Sequence, residues 1–326
     1  MPYTTRQCRA IYPGRREFLI GLAGVTAIAR RPQAAAAPAF MYVGSFTGEG
    51  RGHGEGLSVF RRAGESARWT LVQLLKELAD PSFLIIDRQG RCLYSAHGDG
   101  TEATAYQIDQ ATGRLTVLNR QPTGGRNGVH LAIDATGRCL VLRELRDRQP
   151  SRSCRSTRTG RSRRVSDLAT LSGTPGPHRT QQESSHPHHC PFDRTGRFVV
   201  VPDKGLDKVV RLSVSMPARG KLAAGHPPDV ASRAGAAPRH ADFHPTQPYV
   251  YVINELDSTI GDLPRSTPDA GGLQPLQIVT TLPSSYTGNN TGAEIAGRAV
   301  RPLRLRIEPR PRQHRHLRHR PTLPAC

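Results

Sequence analysis

From residue 83 onward the chain keeps returning to one arrangement of apolar and polar positions. The stretches FLIIDRQGRCLYSAH (83–97), HLAIDATGRCLVLRE (130–144), HCPFDRTGRFVVVPD (189–203) and HADFHPTQPYVYVIN (240–254) each hold an apolar run, a polar turn and a second strand-like run. The turns start at Asp87, Asp134, Asp193 and His244, spaced by 47, 59 and 51 residues. An Asp followed by Gly-Arg between two such runs predicts a hairpin, because Asp bonds its own backbone and Gly accepts a left-handed conformation. A second pattern interleaves with the first in YQIDQATGRLTVL (106–118), LSVSMPARGKLAA (212–224) and LPRSTPDAGGLQPLQ (263–277), and predicts an outer hairpin. Two hairpins per unit of about fifty residues make four antiparallel strands, the content of one β-propeller blade. A β-sandwich, the alternative all-β arrangement, gives no reason for the same turn text to recur at nearly constant spacing.

The text GPHRTQQESSHPHHCPFDRTGRFVVVPDKGLDKV followed by PRHADFHPTQPYVYVINELDST resembles the lactonase family of seven-bladed propellers, over roughly 41–145 and 166–296. That family includes the propeller-type 6-phosphogluconolactonases and the carboxy-cis,cis-muconate cyclases. MYVGSFT (41–47) is similar to the family's opening strand, which normally completes the last blade. The resemblance implies an all-β, seven-bladed fold of which about five blades are present over 40–296, interrupted at 146–165 and after 296.

Charge marks the two interruptions. The 326-residue chain carries a net +20, yet 146–164 holds eight arginines and one Asp, and 297–326 holds nine arginines and one Glu. Both segments break off inside family text, as a GC-rich gene read out of frame would, and 297–326 reads as a disordered Arg/Pro/His-rich tail. An arc short of closure leaves blade faces uncovered, so the chain as written is expected to be impaired in folding or activity. Neither segment contains Phe, Tyr or Trp for base stacking, which argues against a nucleic-acid binder.

The first 39 residues read as an export signal. Arg15-Arg16 precede Phe18 and Leu19, an apolar run continues to Ala29, and small residues include Ala37-Pro38-Ala39. The paired arginines resemble a twin-arginine signal, which implies the twin-arginine export machinery as a partner and a periplasmic or secreted protein. Twelve apolar residues are short for a stable membrane anchor. The six cysteines form no disulfide framework, and Cys92 and Cys139, both in RCL, are expected as small buried thiols.

Candidate chemistry gathers around SSHPHHC (184–190). A zinc site would use His186 and His188, which share a side of an extended segment, but it needs further ligands, and Cys190 reads as core. No metal or cofactor is expected. The resemblance implies His188, Arg239 and Glu255 as catalytic residues, with His186, Lys204, His240 and Asn254 beside them as substrate contacts. His189 points away from its neighbours and receives no role, and Lys204 by itself reads as a solvated turn lysine. Lactone hydrolysis needs a base for water, which Glu255 or His188 can supply, and a cation such as Arg239 for the oxyanion or a substrate anion. The function implied is hydrolysis of a small sugar lactone. A muconate-cyclase-like isomerase and a non-catalytic periplasmic propeller binding a protein or glycan are the alternatives.

Overall fold

The Asp-x-x-Gly-Arg turns form as their chemistry dictates. The Asp134 side chain accepts from the backbone N–H groups of Arg138 (2.7 Å) and Cys139 (2.6 Å), while its carbonyl accepts from Gly137. Asp87 and Asp193 make the same bonds to Arg91 and Cys92, and to Arg197 and Phe198. Gly90, Gly137 and Gly196 take φ of 67°, 69° and 69°, a region that side chains disfavour. In the fourth copy His244 stands where Asp would, and its Nδ1 accepts from Thr246 (3.1 Å) and Gln247 (2.8 Å). An imidazole nitrogen thus fastens the turn to N–H groups two and three residues on, while the closing backbone bond, His244 N–H to the Tyr249 carbonyl, matches that of Asp134 to Cys139.

The computed structural model describes residues 38–50, 52–64, 68–144, 151–156, 160–215, 221–247, 249–264, 277–298, 304–309 and 315–318. The leader read at 1–39 lies, apart from its last two residues, outside the described residues. The described residues form six antiparallel sheets in chain order. The first holds β1 (Ala39–Gly44), β2 (Leu57–Arg62) and β3 (Thr70–Leu75); the second holds β4 (Pro81–Ile86), β5 (Cys92–His97), β6 (Glu102–Ile108) and β7 (Leu115–Pro122). The third is β8 (Gly128–Ile133), β9 (Cys139–Glu144), β10 (Ser151–Ser156) and β11 (Ser162–Ala169); the fourth is β12 (Phe198–Asp203), β13 (Lys208–Ser215) and β14 (Lys221–Ala231). The fifth contains β15 (Pro238–Phe243), β16 (Tyr249–Asn254), β17 (Thr259–Pro264) and β18 (Gln277–Thr280). The last contains β19 (Gly292–Arg298), β20 (Arg304–Pro309) and β21 (Arg315–Arg318). Among the described residues no helix is long and apolar enough to cross a membrane.

Core is distributed between sheets. Along β9, Cys139 and Val141 pack toward the fourth sheet with Cys190, Val199 and Val201, while Leu140 and Leu142 pack toward the second with Tyr94, Ala96 and Ala105. β12 repeats the division, with Val199 and Val201 on one side and Val200 on the other against Val250 and Val252. Second strands are therefore apolar on both faces, which a stack of sheets requires and a half-solvated sheet does not. Cys92 and Cys139 are buried thiols at matching places, as their shared text predicts.

Two features differ from the sequence expectations. The arginine-rich stretch expected to interrupt the third unit contains β10 and β11, which pair with each other and with β9 to give a full four-stranded sheet. Ladder bonds use backbone, so Ser and Arg can carry them. Asn119 of β7 secures the segment by donating to the Ser162 carbonyl and accepting from the Ser162 N–H, and Asp167 pairs with Lys221 of β14 at 3.0 Å. The stretch after 296, read as tail, contains β20 and β21, so six sheets are present among the described residues rather than about five. MYVGSFT forms most of β1 and the turn after it, and β1 occupies the second-strand place of the first sheet. It pairs with β2 as β5 pairs with β6, and the β2–β3 and β6–β7 ladders slip at matching points, Val59/Phe60 and Ala105/Tyr106.

Replacing Asp193 with Ala removes the acceptor of two backbone N–H groups, and should lower unfolding free energy by about 1–3 kcal/mol in urea titration. Leu142→Ala, which empties part of the space between the second and third sheets, should cost about 2–5 kcal/mol in the same measurement.

Candidate active site

The inner strands begin with one shared irregularity. Pro81, Gly128, Pro238 and Gly292 pair with the last residues of β5, β9, β16 and β20, and each ladder then slips by one residue, at Ser82, Val129, Arg239 and Ala293. In the fourth sheet residues 187–192 run beside β12 through two bridges, Pro187 to Asp203 and Phe192 to Val199, with the same one-residue offset. His188 is thus the counterpart of Arg239. A bulge leaves its extra residue outside the ladder and re-aims the side chain, so neighbouring sheets present His188 and Arg239 from one repeat position.

The next repeat position forms an arc: Phe83, His130, His189, His240 and Glu294. Ring centroids are 4.4 Å apart for Phe83 and His130, 3.9 Å for His130 and His189, and 4.3 Å for His189 and His240, the last pair stacked at 14°. His240 then meets Glu294, with Nδ1 2.8 Å from Oε1. His130 Nδ1 accepts from the Cys190 N–H, and His189 Nδ1 accepts from the Ala241 N–H, both at 3.3 Å. His240 departs from this habit because Glu294 Oε1 takes the equivalent N–H, that of Ile295, at 2.9 Å.

His188 joins the arc from the bulge, its Nδ1 3.0 Å from His240 Nε2. Burial holds the His188 imidazole well below its ordinary 6.5, and the nearby charges of Arg239 and Lys204 push the same way. Burial likewise lowers His130, His189 and His240. Burial alone would raise the Glu294 carboxyl, but its hydrogen bond with His240 brings it below its ordinary value.

A third repeat position follows the second strand and supplies Lys204 and Glu255. Their N–H groups donate to the carbonyls of His186 and Ala237 in matching turns. Lys204 Nζ lies 3.0 Å from Glu255 Oε1, and Arg239 Nε lies 3.1 Å from Glu255 Oε2. Lys204 also donates to Gln181 Oε1 at 2.9 Å, and Arg239 Nη1 donates to the Ala293 carbonyl. One carboxylate is therefore held between two cations beside His188. Lys204 is only 6% exposed, so the reading of a solvated turn lysine is corrected. Its partner lies 51 residues away, in the next repeat.

Of the residues expected from sequence, His188, Arg239, Glu255, Lys204 and His240 come together. The His186 ring does not join them: it bonds its own loop, Nδ1 to the Gln181 carbonyl and Nε2 to Ser184, and only the His186 backbone carbonyl meets Lys204. Asn254 is buried at the end of β16 and donates to Thr259 Oγ1 at 2.8 Å. It matches Asp203, which accepts from the N–H groups of His186, Gly205 and Leu206, so this place in the repeat fastens loops. Sequence reasoning missed His130 and Glu294 and gave His189 no role. The signal was available in their phase, since all three share the repeat position of His240. Among the described residues no three His, Cys, Asp or Glu side chains are grouped to hold a metal ion.

Comparison with known proteins agrees with this architecture. Residues 40–299 match the family described as lactonase, 7-bladed β-propeller. A 6-phosphogluconolactonase of Bacillus subtilis is 30% identical over 264 residues, covering 78% of this chain and 70% of the relative. One from Formosa agariphila is 29% identical over 228 residues, covering 68% of this chain, which spans 62% of that relative's length. Among solved structures, the periplasmic gluconolactonase of Pseudomonas aeruginosa superposes with a TM-score of 0.72 at 20% identity, over 87% of this chain and 83% of that one. A protein from Lactobacillus plantarum superposes with a TM-score of 0.69 at 23% identity, over 86% and 82%. The structural likenesses establish the fold, and the match over 40–299 establishes the kinship: the chain belongs to the lactonase family of seven-bladed β-propellers.

Proposed function

We propose that this chain hydrolyses a small sugar lactone, with His188 as the base that activates water. The observation that carries the reading is the position of His188 beside two cations that share a single carboxylate. Each Glu255 oxygen receives a cation, so its role is to hold Arg239 and Lys204 in place, and His188 is the side chain with a nitrogen to spare. Nδ1 is engaged with His240, which leaves Nε2 for water.

The chemistry runs in two proton transfers. Water attacks the lactone carbonyl carbon as His188 takes its proton, and the carbonyl oxygen becomes an oxyanion facing Arg239 or Lys204. The tetrahedral species then breaks its ring C–O bond, and the departing alkoxide takes the proton back from His188. The product is the open hydroxy acid. Arg239 and Lys204 also suit a substrate that carries a carboxylate or phosphate.

Export is part of the same proposal. The leader text, with Arg15-Arg16 before its apolar run, supports a periplasmic or secreted location through the twin-arginine machinery. Phosphorylated sugar lactones are scarce outside the cytoplasm, so an unphosphorylated aldonolactone is the substrate that fits export.

The direct test is ring opening of glucono-δ-lactone and 6-phosphoglucono-δ-lactone, measured above the spontaneous rate, with product identified by mass. An isomerised lactone in place of the hydroxy acid would instead indicate a cyclase-type reaction. His188→Gln should reduce kcat by about 100- to 10,000-fold, and Arg239→Ala should reduce kcat/KM by about 100- to 1,000-fold. Near-normal rates in both variants would refute the assignment. A base with a lowered pKa stays unprotonated as acidity rises, so kcat should remain level as pH falls through 6.5 and decline only below it. Stopped-flow pH profiles would check this limb.

A further inference from the structure

Resting on His188 as the base, we infer that Glu294 and His240 form a hydrogen-bonded chain that sets the tautomer of His188 and directs its Nε2 lone pair at the substrate. Both are positioning residues, since each acts through His188.

The inference follows from which atoms can donate. The Glu294 carboxylate only accepts, so His240 Nδ1 must carry the hydrogen in their 2.8 Å bond. Neutral His240 then has a lone pair on Nε2, which can only accept across the 3.0 Å contact to His188. His188 Nδ1 therefore carries its hydrogen, and its Nε2 is the basic nitrogen. Each bond determines the next, from Glu294 on β19 through His240 on β15 to His188 in the bulge.

Comparison within the protein shows that the chain is built by one residue. At the same repeat position, His130 and His189 accept with Nδ1 from the backbone of the following sheet. Their tautomer, with hydrogen on Nε2, offers a neighbour no lone pair at that nitrogen. His240 takes the opposite tautomer because the sixth sheet places a carboxylate, Glu294, where the previous two place histidines. The charged and titratable groups facing the chain are His130 from β8, His189 from its own segment, Lys204 after β12, Arg239 and Asp242 from β15 and Glu255 after β16, Asp242 facing Glu294. Glu294 bonds His240 from β19 and opposes the cations in this set.

The experiment reads ring tautomers by nitrogen-15 NMR and kinetics in Glu294→Gln. In the unaltered protein His188 should show hydrogen on Nδ1 and a bare Nε2; hydrogen on Nε2 overturns the inference, whatever any variant does. In Glu294→Gln the amide can reverse the donor order, so the single His188 tautomer should be lost. Turnover should fall by about 10- to 100-fold in kcat, with KM within about twofold since no substrate contact is removed. The acid limb of the profile should move to lower pH, because removing the carboxylate disfavours imidazolium. An unchanged tautomer and an unmoved acid limb in the folded variant would overturn the inference. A His188 of the expected tautomer in a protein that opens no lactone would uphold the chain and refute the hydrolase reading, so the two failures are distinguishable.

Discussion

The structure depends on a second strand that is apolar on both faces. β5, β9, β12 and β16 each send alternate side chains into the two flanking inter-sheet spaces. Such a strand cannot face water on either side, so each of these four sheets stacks between two others. Stacking in turn sets equivalent positions of neighbouring sheets against one another. The one-residue bulge that opens each inner strand therefore recurs in register, and residues some fifty positions apart become neighbours. The candidate site is a product of that repetition: one repeat position contributes His188 and Arg239, the next the histidine arc and Glu294, and the third Lys204 and Glu255.

Repetition alone would place identical groups together, and charge explains why the copies differ. Lys204 beside a second lysine would be costly when only 6% exposed. Glu255 at the equivalent position turns that repulsion into a pair, and Arg239 then shares the same carboxylate. Two cations share that one anion, an arrangement that suits an oxyanion or an anionic substrate. Neutral histidines can line the arc because burial lowers their proton affinity. Glu294 at the end of the arc is the one group there whose charge tends to restore it.

Much of this was legible in the sequence where the chemistry is local. Asp87, Asp134 and Asp193 each bond backbone four and five residues on, so their turns could be read directly, and His244 fastens its turn with a ring nitrogen to residues two and three on. The family text led to His188, Arg239 and Glu255. Lys204 was misread as a turn residue because its partner lies in another repeat. His189 and Glu294 were passed over because strand alternation within one segment says nothing about which residue meets its counterpart in the next sheet. β10 was hidden by composition: Ser and Arg give no apolar alternation, although their backbone completes the ladder beside β9.

The central claim is that three repeat positions converge on one ligand site at His188. The most direct measurement is an NMR titration of the folded protein with gluconate and 6-phosphogluconate, the hydroxy-acid products, following the histidine ring signals. Saturable shifts at His188 and its neighbour His240, with exposed His178 unmoved, are the expected result. Shifts confined to His178 or other surface histidines, with His188 unaffected at saturating product, would contradict the account.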